Sequence, residues 1–175
     1  AGYVYDFKNN DVDGSTDRDR GYWRDVGTLD SYYDAHMDLV SIHPVFNLYN
    51  YEWPIYTHYG FYPPAKFVHG HHGRFGEALN SAVSPGVVIS GARVTGSVIG
   101  PAVRIHSYTE VNDSVILDGV TIGRGCQVRK TIIDKGAVLP EGTMIGFDKE
   151  HDEARGFTVT ESGLTIVGKE AQVER

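Results

Sequence analysis

The sequence predicts a mainly β fold built around a left-handed parallel β-helix of triangular section. Three observations carry this. Branched apolar residues recur at Val88, Val94, Ile99, Ile105, Val111, Ile116, Ile122, Val128, Ile133, Leu139 and Ile145, a pattern that repeats every 17 residues. Smaller residues two places earlier keep the same phase: Ala92, Thr109, Cys126 and Thr143; Ser97, Ser114 and Thr131; Val103, Val120 and Ala137. Glycines at 91, 100, 119, 123, 125, 136, 142 and 146 fall between them as turn positions. An α-helix cannot produce this spacing and an antiparallel meander has no reason to keep it. A triangular β-helix does, with one bulky and one smaller residue per side pointing inward and three sides per coil. Stacked coils then bury a core that no single coil could bury alone. Ile105, Ile122 and Leu139 are expected to lie directly above one another.

The rest of the chain differs in texture. Residues 1–40 open on "AGYVYDF", which reads as a buried strand, and continue through a charged loop to "YWRDVG". A strand at the first residue, with no initiator Met, suggests a chain cut from a larger protein. A helix is expected from residue 28 to about 40, with Thr28 as N-cap. Its apolar face holds Leu29, Tyr32, Tyr33, His36, Met37 and Val40 at the helical period. Residues 41–83 are rich in Pro, His and aromatics and read as a linker packed between two domains, because so many aromatics are poorly suited to solvent. Residues 84–175 form the β-helix domain. Within it "DKEHDEARG" reads as a charged turn and "FTVTESGLTIVGK" as a hairpin around Glu161, Ser162 and Gly163.

Composition bounds the function. The chain has 175 residues, 41% of them hydrophobic, and a formal charge of −7. A net negative charge argues against a nucleic-acid binder, which gains affinity by releasing counterions from phosphates. No apolar run is long enough to span a bilayer, so no membrane partner is expected. The single cysteine, Cys126, rules out an intrachain disulfide and fits a reducing, cytoplasmic setting. His69, His71 and His72 sit in a glycine loop with no carboxylate or cysteine set beside them, a poor metal site. His106 follows a core position, where hexapeptide acyltransferases carry a catalytic His, but their protruding loop is lacking. Cys126 is in phase with Ala92, Thr109 and Thr143 and reads as a small core residue.

Several segments resemble a known family. "GYWRDVGTLDSYYDAHMDLV" at 21–40 is similar to the end of the catalytic domain in sugar-nucleotide pyrophosphorylases, where a W-x-D-x-G-T segment closes the active site. "WPIYTHYGFYPPAKFV" at 53–68, "LNSAVSPGVVISGARVTGSVIG" at 79–100 and "IIDKGAVLPEG" at 132–142 resemble glucose-1-phosphate adenylyltransferases. The resemblance implies that residues 1–40 are the strand-and-helix edge of an α/β nucleotidyltransferase domain. It implies a reaction of ATP with glucose 1-phosphate to give ADP-glucose and pyrophosphate, the committed step of bacterial glycogen synthesis. It makes Asp25 a catalytic carboxylate, one of two that hold Mg²⁺, and places Trp23 against the substrate. It assigns Lys135, Lys169 and Arg175 to phosphorylated effectors, and it implies a homotetramer. The family's Gly-rich nucleotide loop, first metal aspartate and sugar-phosphate lysine are not in this sequence, so the polypeptide alone is expected to be inactive. Another sugar-1-phosphate nucleotidyltransferase, or a stand-alone hexapeptide scaffold or acyltransferase subunit, are the alternatives.

Overall fold

A computed structural model describes residues 2–58, 60–71 and 73–173. Its centre is a parallel β-helix of three sheets. The first holds β1 (Lys66–Val68), β4 (Val88–Ser90), β7 (Arg104–Ile105), β10 (Thr121–Ile122) and β13 (Val138–Leu139). The second holds β2 (Glu77–Leu79), β5 (Arg93–Thr95), β8 (Glu110–Asn112), β11 (Gln127–Arg129) and β14 (Met144–Ile145). The third holds β3 (Ala82–Val83), β6 (Val98–Ile99), β9 (Val115–Ile116), β12 (Thr131–Ile133) and β16 (Thr165–Val167), with β15 (Thr158–Val159) antiparallel at its edge.

The inward stacks follow the sequence period. Ile105, Ile122 and Leu139 are register partners in successive strands, as are Val94, Val111, Val128 and Ile145. All are buried, and so is every smaller in-phase residue from Ala92 to Thr143. The hydroxyls among them are satisfied across coils. Ser97 donates to the Thr95 carbonyl (2.8 Å) and accepts from the Ser114 amide (3.0 Å); Ser114 repeats the pattern towards Thr131 (3.2 Å). A buried hydroxyl is tolerated because both of its capacities are used.

Val88 is a correction. Ile89, not Val88, is the inward residue and pairs with Ile105; Val87, two places earlier, is buried as well, and Val88 is only half-buried. The corner from Ile89 to Val94 is one residue shorter than the later corner from Ile105 to Val111, so the 17-residue period carries one position too far back.

Each corner of the triangle needs one residue in the left-handed region. Along one edge these are Gly91, Tyr108, Gly125 and Gly142; along another Asn80, Gly96, Asp113 and Lys130. Tyr108 at φ 63° and Lys130 at φ 46° show that the corner imposes this conformation even where a Cβ is present.

The coils begin earlier than residue 84. β1, β2 and β3 lie in the stretch read as a linker and pair in register with β4, β5 and β6. Several aromatics before them are exposed here, Tyr51 at 85% and Tyr56 at 89%, while Phe46 is half-buried against Tyr22. Residues 2–6 form no strand: Tyr3 and Val4 are almost fully exposed, and a 3-10 turn at Phe7–Asn9 follows. A strand needs a neighbour for its backbone ladder, and none of the described residues supplies one.

The predicted helix is α1 (Leu29–Val40). Thr28 accepts from the Ser31 amide while the Ser31 hydroxyl accepts from the Thr28 amide, both at 3.1 Å, closing a reciprocal cap. Tyr33, with Tyr32 and Met37 partly buried, packs on Val115, Ile132 and Leu164, which face outward from the third sheet or follow its hairpin. Leu29, expected on the same face, is 44% exposed because it sits at the helix start, beyond the edge of that seat.

The charged turn is a short helix, α2 (Lys149–Ala154), capped by Asp148. It carries a buried carboxylate, Asp152, that accepts from the Gly146 amide (2.8 Å) and the Thr165 hydroxyl (3.1 Å) and pairs with Arg155. The hairpin around Glu161–Gly163 forms as expected, closed by the Thr160 amide donating to the Leu164 carbonyl at 2.9 Å.

Candidate functional site

The sequence Trp23-Arg24-Asp25-Val26-Gly27-Thr28 runs over an exposed surface into the N-terminus of α1. Asp25 is exposed, and its Oδ1 accepts from the Gly27 amide at 3.0 Å. That contact folds the carboxylate back against the chain three residues before the helix cap, a local turn that Asp makes readily. Trp23 is 72% exposed. Arg24 donates to the Asp34 carbonyl of α1 (3.4 Å), which ties the segment to the helix flank. Among the described residues, no group of three or more His, Cys, Asp and Glu is placed to hold a metal ion. Asp25 alone supplies one carboxylate, so a metal ion held there needs ligands from beyond the described residues.

Tyr33 fastens α1 to the β-helix. Its hydroxyl donates to the Asp113 carbonyl at 2.7 Å, and burial, followed by the nearby Asp113 and Asp34 charges, pushes its pKa up to about 12. Tyr32 is likewise raised, first by burial and then by Asp134 and Asp118.

Lys135 and Lys169 are brought to one corner of successive coils. The Glu170 amide donates to the Lys135 carbonyl at 2.8 Å, so the two turns lie against each other. Both lysine side chains are more than half exposed. Lys135 faces Asp118 at 3.7 Å and Lys169 faces Glu170 at 3.9 Å. An incoming anion would therefore compete with two carboxylates for these cations. Arg175 lies outside the described residues.

The other candidates are placed as follows. His69 packs edge-on against Phe75 (5.5 Å), and His72 lies outside the described residues. His106 is exposed on the outer face of the first sheet. Cys126 is fully buried, its amide bonded to Thr109 Oγ1 at 3.2 Å, and burial raises its thiol above the usual range. A cavity of about 280 Å³ opens between the loops at 7–22 and 46–55, lined by Tyr22, Phe46, Asn50 and Trp53. Asp25 and Trp23 are not part of its wall. Sequence reasoning does not single out Asp30. Its Oδ1 accepts from the Ser162 hydroxyl (2.5 Å) and the Thr160 hydroxyl (3.1 Å), joining the first turn of α1 to the hairpin tip. A contact spanning 132 residues has no local signature.

Residues 63–167, which include nearly all the coils, match a family model described as GlmU-like, C-terminal hexapeptide. The chain belongs to that family. Its similarity to curated relatives extends beyond residues 63–167. The chain is 56% identical over 171 residues to the glucose-1-phosphate adenylyltransferase of Bifidobacterium adolescentis, covering 98% of this chain and 41% of that protein. The enzyme of the same name from Frankia casuarinae is 56% identical over 169 residues (97% and 41%), and that from Deinococcus radiodurans 53% over 166 residues (95% and 40%). The chain thus spans about two-fifths of the length of the curated relatives it matches. No helix among the described residues is long and apolar enough to cross a membrane.

Proposed function

We propose that this chain is the β-helical module of a glucose-1-phosphate adenylyltransferase, which joins ATP and glucose 1-phosphate to give ADP-glucose and pyrophosphate. One observation carries the reading. The similarity to enzymes of that name extends over 171 of 175 residues, so it takes in the segments before residue 63 that the hexapeptide match leaves out. Those segments include Trp23–Thr28 and its helix, which a bare hexapeptide scaffold has no need of.

In this reading the sugar phosphate oxygen attacks the α-phosphorus of ATP and pyrophosphate leaves. Negative charge grows on the non-bridging oxygens, and a bound Mg²⁺ supplies the offsetting charge. Asp25 is one of its two carboxylate ligands; the Gly27 amide, bonded to Oδ1, fixes the orientation of the carboxylate. Trp23 walls the substrate side. The second carboxylate and the nucleotide loop lie outside this sequence, so the polypeptide alone does not turn over substrate. Lys135 and Lys169, whose turns meet at one corner, receive a phosphorylated metabolite, and the resemblance adds Arg175 to that role, in a homotetrameric, cytoplasmic enzyme.

The test uses the complete protein that carries this chain. It is supplied with glucose 1-phosphate, Mg²⁺ and each of ATP, UTP, CTP and dTTP in turn, and the nucleotide sugar is identified. ADP-glucose is the expected product; preference for another nucleotide, or no nucleotide sugar at all, overturns the reading. Asp25→Asn should leave the melting curve unchanged and lower turnover by orders of magnitude. Near-normal turnover at ordinary magnesium would remove Asp25 from the site.

A further inference from the structure

α1 is the element through which the exposed Trp23–Gly27 segment is joined to the β-helix, and two different sets of contacts hold it. The first is apolar. Tyr33, with Tyr32 and Met37, sits on Val115, Ile132 and Leu164. This seat is at the middle of the helix and accounts for its being bound at all. The second is polar and lies in the first helical turn. Asp30 Oδ1 accepts from Ser162 Oγ at 2.5 Å and from Thr160 Oγ1 at 3.1 Å, and the two hydroxyls are 3.0 Å apart. Lys130 reaches the same point, its Nζ donating to the Ser162 carbonyl at 2.5 Å. Lys130 is also a left-handed corner of the β-helix, so this cation comes from the rigid coils. The hairpin tip is braced in turn: the Leu164 amide donates to Thr160 Oγ1 at 3.3 Å.

Apolar packing is non-directional and tolerates small slides. A carboxylate between two hydroxyls is directional, and hydrogen bonds to a charged group are the stronger kind. The two sets of contacts therefore divide the work. The apolar seat binds α1, and the polar clamp sets where its N-terminus lies. Only four residues lie between Asp25 and Asp30, and the Gly27 amide contact draws Asp25 back against that short link. Little slack is left between the clamp and the carboxylate.

We infer that Asp30, Ser162 and Thr160 are positioning residues for the proposed nucleotidyl transfer: the hairpin tip fixes the first turn of α1 and, through it, Asp25 against the metal and the α-phosphate. The inference rests on the reading of Asp25 as a metal carboxylate. It gives the β-helix a part in the chemistry besides assembly, and it gives the hairpin at 158–167 a task that its sequence does not announce.

The experiment uses the complete enzyme and measures ADP-glucose formation for Asp30→Ala, Ser162→Ala, the pair together, Ser162→Thr and Asp25→Asn. A carboxylate displaced by a fraction of an ångström to an ångström costs about tenfold to a hundredfold in rate. Asp30→Ala and Ser162→Ala should each lower kcat about tenfold and raise the Mg²⁺ concentration for half-maximal rate. KM for glucose 1-phosphate should stay within about twofold, because the clamp binds no substrate. The double variant should be no worse than Asp30→Ala alone, since Asp30→Ala already removes the bond that Ser162→Ala takes away. Ser162→Thr, which keeps the hydroxyl, should restore the rate. Melting curves should be nearly unchanged, because the apolar seat remains. The inference is overturned if Asp30→Ala and Ser162→Ala keep full kcat and magnesium dependence while Asp25→Asn is inactive. It is also overturned if their losses follow the melting temperature and Ser162→Thr does not rescue. If Asp25→Asn itself turns over normally, the metal reading fails first and the clamp has nothing to position.

Discussion

Ile122 lies within the inward stack of the first sheet, in register between Ile105 in the coil before and Leu139 in the coil after, and it has no exposed surface. Truncation to Ala removes side-chain carbons that touch both neighbours. The coils cannot close the gap, because their spacing is set by the ladder of backbone hydrogen bonds on all three sides. Large-to-small changes at such a site cost about 2–5 kcal/mol, and a rigid site belongs at or above the middle of that range. Taking about 3.5 kcal/mol, the melting temperature of a chain this long should fall by roughly 7–14 °C. Ile122→Asp goes further, placing an unpaired charge among aliphatic side chains, and should leave no folded β-helix. Gln127→Ala is the control, since Gln127 is exposed on the outer face beside the buried Val128; it should stay within about 0.5 kcal/mol. Thermal and urea melts followed by circular dichroism give the three values. An Ile122→Asp protein that melts cooperatively at the unmodified temperature would refute the inward stack.

Three shorter predictions follow from other contacts. Tyr33→Phe removes the bond to the Asp113 carbonyl and should cost about 1–3 kcal/mol, because it leaves a part-buried carbonyl without its donor. The raised pKa of Tyr33 adds a pH dependence of known sign. The folded state favours the protonated phenol, so its stabilisation is complete below the usual value of 10 and is lost as pH rises towards about 12. Urea midpoints measured across that range should fall for the unmodified protein more than for Tyr33→Phe, and parallel slopes would count against the burial of the phenol. Lys135→Ala in the complete enzyme should weaken the response to a phosphorylated effector about tenfold, the value of one charge-assisted contact, while the rate without effector barely changes; overlaid effector titrations would leave Lys135 an ordinary surface residue.

The helix α1 shows how far local signals reach. Thr28 as its cap, its period and its length are all legible in residues 28–40, because capping and amphipathic spacing are contacts between residues a few places apart. Its seat is not legible in the same way. Val115 and Ile132 are apolar residues at outward positions of a β-helix, and that excess is a signal that something covers the third sheet. Nothing local says that the cover is a helix some 80 residues earlier. The same holds for Asp152, which reads as one more charge in "DKEHDEARG" and becomes a buried tie only when Gly146 and Thr165 are brought to it. Lys135 and Lys169 can be named from the sequence, but their facing carboxylates, Asp118 and Glu170, are products of coil stacking and a tight turn.

By itself the sequence determined the β-helix, its in-phase core and its small inward hydroxyls. A solenoid repeats one short contact pattern, so a period in the chain is at once a stack in space. It also determined the segment Trp23–Thr28 and its helix cap, which depend on neighbours in the chain. Tertiary structure decided what breaks the period: the shorter corner that turns Ile89 inward in place of Val88, and the early coils at β1, β2 and β3. It decided too that residues 2–6 form no strand and that Asp30 meets Ser162 and Thr160. The physical reason is common to all of these. A strand needs a partner, a corner can lose a residue without changing local propensity, and a hydrogen bond across 132 residues depends on where the coils bring its two ends.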